Sequence, residues 1–131
     1  MKPIEIIEKI YSAFRSRDYD SFRALCSEDL EWIQNRGFPK GGHHHGADAV
    51  IENVFQQFER DWNYFKFQVE EMFESKDGSR VTVIGAYLGE HKQTRKVIKA
   101  AAVHVFEIKH SKVKKFRQFT DTAIIATALP H

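Results

Sequence analysis

Val103-His104-Val105-Phe106, followed after a short interval by Lys112-Val113-Lys114-Lys115-Phe116-Arg117-Gln118-Phe119-Thr120-Asp121-Thr122, is the stretch that decides the fold. It reads as a hairpin of two strands, reversed near His110-Ser111, whose second strand ends on a carboxylate leading straight into a helix with Ile124, Ile125, Ala128 and Leu129. Side chains alternate across a strand, so Ile98, Ala100, Ala102, His104, Phe106 and Ile108 share one face. That face is apolar except for one histidine and is expected to point inward. Arg117, Phe119 and Asp121 share parity on the next strand and are expected beside it. Burial there would favour the neutral carboxyl of Asp121, whereas a nearby Arg117 would favour the ionised form. The plainer reading of Asp121 is an N-cap for the last helix, and that of His104 is a satisfied core residue.

Working outward, Asp77-Gly78 and the segment around Gln93-Thr94 are turn signals that divide the preceding residues into two more strands. Phe67, Val69 and Phe73 alternate with Gln68, Glu70 and Glu74, the mark of a half-buried strand, and Arg80 to Glu90 is rich in Val, Ile and Tyr. Upstream the period changes to that of helices. Ile4, Ile7, Ile10, Tyr11 and Phe14 recur at three- and four-residue spacing behind Pro3, and Phe22, Leu25 and Cys26 mark a second short helix capped by Asp20 or Ser21. Leu30 to Gln34 reads as a short strand and Arg36 to Gly42 as a loop. From Ala47 to Trp62 the positions Val50, Ile51, Val54, Phe55, Phe58 and Trp62 form one helical stripe. Helices followed by an antiparallel meander imply an α+β arrangement: helix, helix, strand, helix, four strands and a short terminal helix, with helices on one face of a curved sheet.

Composition limits the functions available. A chain of 131 residues is read as one domain, 1–131, and 42% hydrophobic with 29% charged residues is a globular balance. Eleven phenylalanines need a core, a pocket or a subunit interface to absorb them. A net charge of +2 gives no nucleic-acid footprint, and the basic run Lys109 to Arg117 reads as a solvated strand face. No segment approaches the ~20 apolar residues of a membrane span, and the start Met1-Lys2-Pro3-Ile4-Glu5 carries no signal-peptide run. The one cysteine, Cys26, sits in an amphipathic segment as a small hydrophobe, which fits a cytoplasmic protein. No phosphate loop, serine elbow or cysteine motif is present.

The order of elements, with Asp29-Leu30-Glu31-Trp32, Gly46-Ala47-Asp48-Ala49-Val50, His104-Val105-Phe106 and Phe116 to Thr122, resembles the SnoaL-like domain of the ketosteroid-isomerase and nuclear transport factor 2-like superfamily. The resemblance implies a cystatin-like α+β cone of three N-terminal helices on a curved antiparallel sheet. It also implies an apolar pocket, no cofactor, no metal and a homodimer formed through the outer sheet face, where Val103 and Val105 are apolar. Its enzymes include polyketide cyclases and isomerases that move protons next to a carbonyl, and the cyclase acid-base Asp matches Asp121. Phe116-Arg117 stands where the cyclases commonly carry His-Trp. The ketosteroid-isomerase base falls at Gln34 and its oxyanion-hole acid near Ala102, so that enzyme's pair of tuned carboxyl groups is missing.

The expected partner is a small hydrophobic carbonyl compound, with neither nucleic acid nor membrane. Three functions remain open: a cyclase or isomerase, a non-catalytic ligand-binding or stress-responsive protein, or an interaction module whose pocket is filled by side chains. For catalysis, Asp121 would move the proton and His104 would polarise or relay it. Trp32, Gln34 and Asn35 on or after the first strand would supply an aromatic wall and carbonyl-orienting amides. Phe106 and Phe119 would exclude water beside Arg117, and Tyr11, Phe14, Phe55, Phe58 and Tyr87 would complete the lining or simply fill the core. His43-His44-His45 reads as a flexible polar lid rather than a metal site, because adjacent residues rarely converge on one centre.

Overall fold

The computed structural model describes residues 1–131. Pro3 opens α1 (Pro3–Ser16), where its missing N–H costs nothing, and the helix buries Ile6, Ile7, Ile10, Tyr11 and Ala13. Arg17 ends it in the left-handed region, and Asp18 then caps α2 (Tyr19–Leu25) by accepting from the Ser21 N–H at 3.1 Å. The cap is thus Asp18 rather than Asp20 or Ser21. A longer helix covers 47–61 in three parts: α3 (Ala47–Val50), a π turn (Ile51–Phe55) and α4 (Gln56–Asp61). The wider turn puts an extra residue into the helix, and Val54, Phe55 and Phe58 all end up buried. A last short helix, α5 (Thr122–Ala126), closes the chain. No helix is long and apolar enough to cross a membrane.

Six strands form one mixed sheet in the order β2-β1-β6-β5-β4-β3. The meander read from sequence is present as β3 (Trp62–Glu74), β4 (Arg80–His91), β5 (Val97–Lys109) and β6 (Lys112–Thr120), each antiparallel to the next. Two additions extend it. β1 (Cys26–Gln34) begins four residues earlier than expected and pairs in parallel with β6, with an irregularity between Cys26 and Glu31. Ser27, Glu28 and Asp29 lack an alternating apolar pattern, which hid this half of the strand. β2 (Gly42–His45) pairs antiparallel with β1, so the three histidines form the sheet's edge strand, not a lid. The edge of β1 offers unpaired backbone groups, and a short polar strand satisfies them.

The sheet bends where β3 crosses β4. Gly85 lies opposite Val69, next to a bulge between Val69 and Glu71, and a side chain there would collide with the Gln68 carbonyl oxygen. α1 and the helix of 47–61 lie over the concave face. Ile98, Ala100, Ala102, His104 and Phe106 of β5 are buried there, in the alternation expected from sequence.

Candidate functional site

Cross-strand partners in an antiparallel pair share a face, so register decides what His104 meets. β5 and β6 pair His104 with Gln118 and Phe106 with Phe116, while Val103 pairs with Phe119 and Val105 with Arg117. Phe116 and Gln118 are therefore the inward residues of β6. Arg117 and Phe119 lie on the outer face, where Phe119 is 44% exposed with the Arg117 guanidinium over its ring. Asp121 does not enter the hollow. Its side chain is exposed and accepts from the Ile124 N–H at 3.2 Å, the N-cap role. The three residues expected to carry the carboxylate end of the site thus sit on the outer side of the sheet, because the register that pairs His104 with Gln118 turns the even positions of β6 inward.

His104 is instead the centre of a buried hydrogen-bonded chain. The Tyr11 hydroxyl lies 2.8 Å from Nδ1 and the Tyr87 hydroxyl 2.6 Å from Nε2. Gln118 donates from Nε2 to the Tyr87 oxygen at 2.5 Å and accepts at Oε1 from the Asn35 backbone N–H at 3.3 Å. The sense of the chain follows from donor inventory. The Asn35 N–H only donates, so the Gln118 amide oxygen faces it and the amide nitrogen faces Tyr87. Tyr87 then places its proton on His104 Nε2, the one acceptor it meets, and His104 Nδ1–H donates to Tyr11. The Tyr11 proton is left over. The reverse sense would leave the Tyr87 proton without a partner on a hydroxyl already accepting from both Gln118 and His104, at the cost of an unmade buried hydrogen bond.

Burial sets the protonation states. It pushes the imidazole of His104 down to about 3, so the ring is neutral. Burial also raises both phenols, Tyr11 further through the nearby Tyr87, so each remains a protonated donor. Phe67 stacks on the imidazole with ring centres 4.0 Å apart, and Phe116 meets its edge. The Cys26 thiol, pushed up to about 12 by burial, is inert as a nucleophile.

Against this chain lies an inner cavity of about 50 Å³ bounded by Tyr11, Trp32, Gln34, Tyr87, His104 and aromatic or aliphatic side chains. Tyr11, Phe14, Phe55, Phe58, Phe65 and Phe67 also line an outer groove of about 600 Å³, which adds Arg15, Arg17, Tyr19, Glu59 and Lys66 at its rim. Six aromatic rings therefore separate a small, mainly apolar chamber from a wide vestibule. Two polar atoms in the chamber wall have no partner, Trp32 Nε1 and Gln34 Oε1, on residues only 4% and 5% exposed. No carboxylate lines the chamber. Phe106 lines it as well, whereas Asn35 stands behind it, its Oδ1 accepting from the Thr120 N–H and its own N–H orienting Gln118. Gln118, Phe65, Phe67 and Phe116 join the site beyond the residues expected from sequence. The signal for Phe116 and Gln118 is the even parity of β6, which faces them to Phe106 and His104, and that for Phe65 and Phe67 is their shared parity on β3. No group of three or more His, Cys, Asp or Glu side chains converges as a metal site requires.

A family model described as the SnoaL-like domain matches residues 7–116. The chain belongs to the SnoaL-like family. A nuclear transport factor 2-like protein from Burkholderia thailandensis E264 superposes on this SnoaL-like chain with a TM-score of 0.91 at 28% identity, covering 100% of this chain and 99% of that one. TerC, crystallised with polyporic acid, gives 0.84 at 22% identity over 96% of each chain. A SnoaL-like protein of the polyketide cyclase kind from Jannaschia sp. CCS1 gives 0.82 at 17% identity, over 96% of this chain and 90% of that one. The two likenesses under 25% identity speak to the fold alone. Comparison with curated protein sequences finds no match.

The depressed His104 pKa links stability to pH. The unfolded ring takes a proton below 6.5 and the folded ring only near 3, so stability is intact above 6.5 and falls as pH drops through that window. Between pH 7 and pH 5 the group is expected to cost about 2 kcal/mol, at ~1.4 kcal/mol per pH unit once well below 6.5. Urea unfolding at the two pH values measures it, and in His104→Gln that part of the fall should be missing.

Proposed function

We propose that this SnoaL-like chain binds a small hydrophobic molecule through its carbonyl oxygen and polarises that carbonyl with the Tyr11 hydroxyl. The observation that carries this reading is the spare proton on Tyr11, at the end of the chain that starts at the Asn35 N–H and runs through Gln118, Tyr87 and His104. A donor fixed in place and surrounded by apolar rings pays no reorganisation when negative charge grows on an oxygen before it, and low polarity strengthens the contact. Such a donor assists enolisation or ring closure next to a carbonyl, the chemistry expected of a cyclase or isomerase. His104 acts as a neutral positioning group that points its N–H at Tyr11, not as the base.

Capture without turnover is the second reading, and one observation favours it: the chamber has no carboxylate to take a proton. The small molecule recorded with TerC belongs to that protein, and it is consistent with a cavity of this fold serving as a ligand site. For the oligomer we propose a homodimer through the outer sheet face, where Ile84, Val103, Phe119 and Ile124 line a shallow apolar groove. Light scattering at micromolar concentration should read twice the 15.3 kDa chain mass; a monomer removes the proposal.

Binding of 4-phenylbutan-2-one, a plain ketone with an aryl body, tests the central reading. Tyr11→Phe should weaken it about tenfold, the worth of one ~1.4 kcal/mol hydrogen bond, with the circular dichroism spectrum unchanged. Equal affinity in the two proteins removes Tyr11 from the site. Exchange of the ketone's α-protons into heavy water separates the alternatives. Acceleration by the wild-type protein that disappears in Tyr11→Phe marks polarisation toward the enol, and binding with no acceleration marks capture.

A further inference from the structure

The chamber wall holds two polar atoms that nothing in the chain satisfies, and they are chemically opposite. Trp32 Nε1 carries a hydrogen that can only be donated, and Gln34 Oε1 is an acceptor. Both residues belong to β1, two positions apart, so their side chains leave the strand on the same face and about 7 Å apart at the backbone. Both line the same small cavity. Their surroundings allow no internal remedy: the Trp32 ring is stacked on Phe116 with centres 3.7 Å apart and flanked edge-on by Phe22 and Phe55. Two residues that line one cavity and carry an orphan donor and an orphan acceptor describe what an occupant must offer, because buried polar groups left unpaired are costly and uncommon.

The candidate groups can be sorted by what they leave unpaired. A carbonyl or carboxylate accepts from the indole but leaves the Gln34 oxygen bare. An ammonium donates to Gln34 but leaves the indole bare. Either charge would also be stranded in a chamber whose only titratable lining groups are Tyr11, Tyr87 and His104, all held neutral by burial. A hydroxyl does both tasks at once, its oxygen accepting from the indole N–H while its proton goes to the amide oxygen. We infer that the ligand head seated in the chamber is an α-hydroxy ketone, its hydroxyl held between Trp32 and Gln34 and its carbonyl oxygen on Tyr11. Volume agrees with this assignment. A water needs roughly 10–15 Å³ of such space, so about 50 Å³ takes a head of a few non-hydrogen atoms and leaves the apolar body to pass the aromatic collar into the vestibule.

This inference rests on the carbonyl reading above, and a matched pair of probes separates the two. 1-Hydroxy-4-phenylbutan-2-one and 1-phenylpentan-3-one have the same aryl body and ketone, and differ by a hydroxyl in place of a methyl. The hydroxy ketone should bind at least about tenfold tighter to the wild-type protein, since a site built for a hydroxyl rejects the analogue that lacks it. It should also move the Trp32 indole cross-peak in a proton–nitrogen spectrum, which the methyl analogue leaves in place. Gln34→Leu, close in size and without the acceptor, should bring the two affinities to within about twofold, whereas Tyr11→Phe should weaken both ketones alike and keep their ratio. Equal binding of the two probes to the wild-type protein overturns the hydroxyl assignment and leaves the carbonyl reading standing, with water pairing the orphan atoms. A preference that survives Gln34→Leu overturns it too, by placing the hydroxyl elsewhere. Failure of both probes to bind overturns the carbonyl reading, and this inference with it.

Discussion

The Asn35 backbone N–H can donate and can do nothing else, and that constraint sets the direction of every hydrogen bond behind the cavity. It turns the Gln118 amide, which turns the Tyr87 hydroxyl, which selects the tautomer of His104 and leaves Tyr11 with a proton for something outside the chain. Four side chains from four different elements, α1, β4, β5 and β6, meet in this way. The arrangement therefore needs the sheet register, the length of β1 and the seating of α1 to be right together. Satisfied polar networks in a low-polarity interior are rigid, and a partly satisfied one is worse than an apolar core.

The surrounding packing serves the same end. Phe67 and Phe116 hold the imidazole between them, and burial strips it of any tendency to ionise near neutrality. A charged His104 would have no acceptor for a second N–H toward Tyr87 without reversing the chain. The bend at Gly85, where β3 comes too close for any side chain, lets the sheet curl and leaves room over its concave face. The π turn in the helix of 47–61 brings Phe55 and Phe58 to the collar between chamber and vestibule. A pocket lined this way suits a ligand that is apolar for most of its length and polar at one tip.

Much of the fold was legible because its signals are periodic. The α1 stripe, the meander and the inward row of β5 all follow from spacing, and the ordered motifs carried the SnoaL-like resemblance that residues 7–116 bear out. Less legible were the features that depend on pairing between distant segments. The parallel β1–β6 contact and the His43–His45 edge strand carry no local hydrophobic alternation, so nothing in their own composition distinguishes them from loop. The site suffered from the same limit. His104, Tyr11, Tyr87, Trp32 and Gln34 were picked out by face and by aromatic or amide character. Asp121, Arg117 and Phe119 were drawn in by their nearness to a family position, and a register that pairs His104 with Gln118 puts them outside. Gln118 was passed over because it sits among charged residues whose neighbours face solvent.

The most direct measurement is the tautomer of His104, read from long-range proton–nitrogen correlations of the imidazole ring at neutral pH. The account predicts that the proton is on Nδ1, the nitrogen facing Tyr11, with Nε2 a bare acceptor for Tyr87. A proton found on Nε2, or on both nitrogens, would reverse or break the chain, spend the Tyr11 proton inside the protein and contradict its role as the donor offered to a ligand.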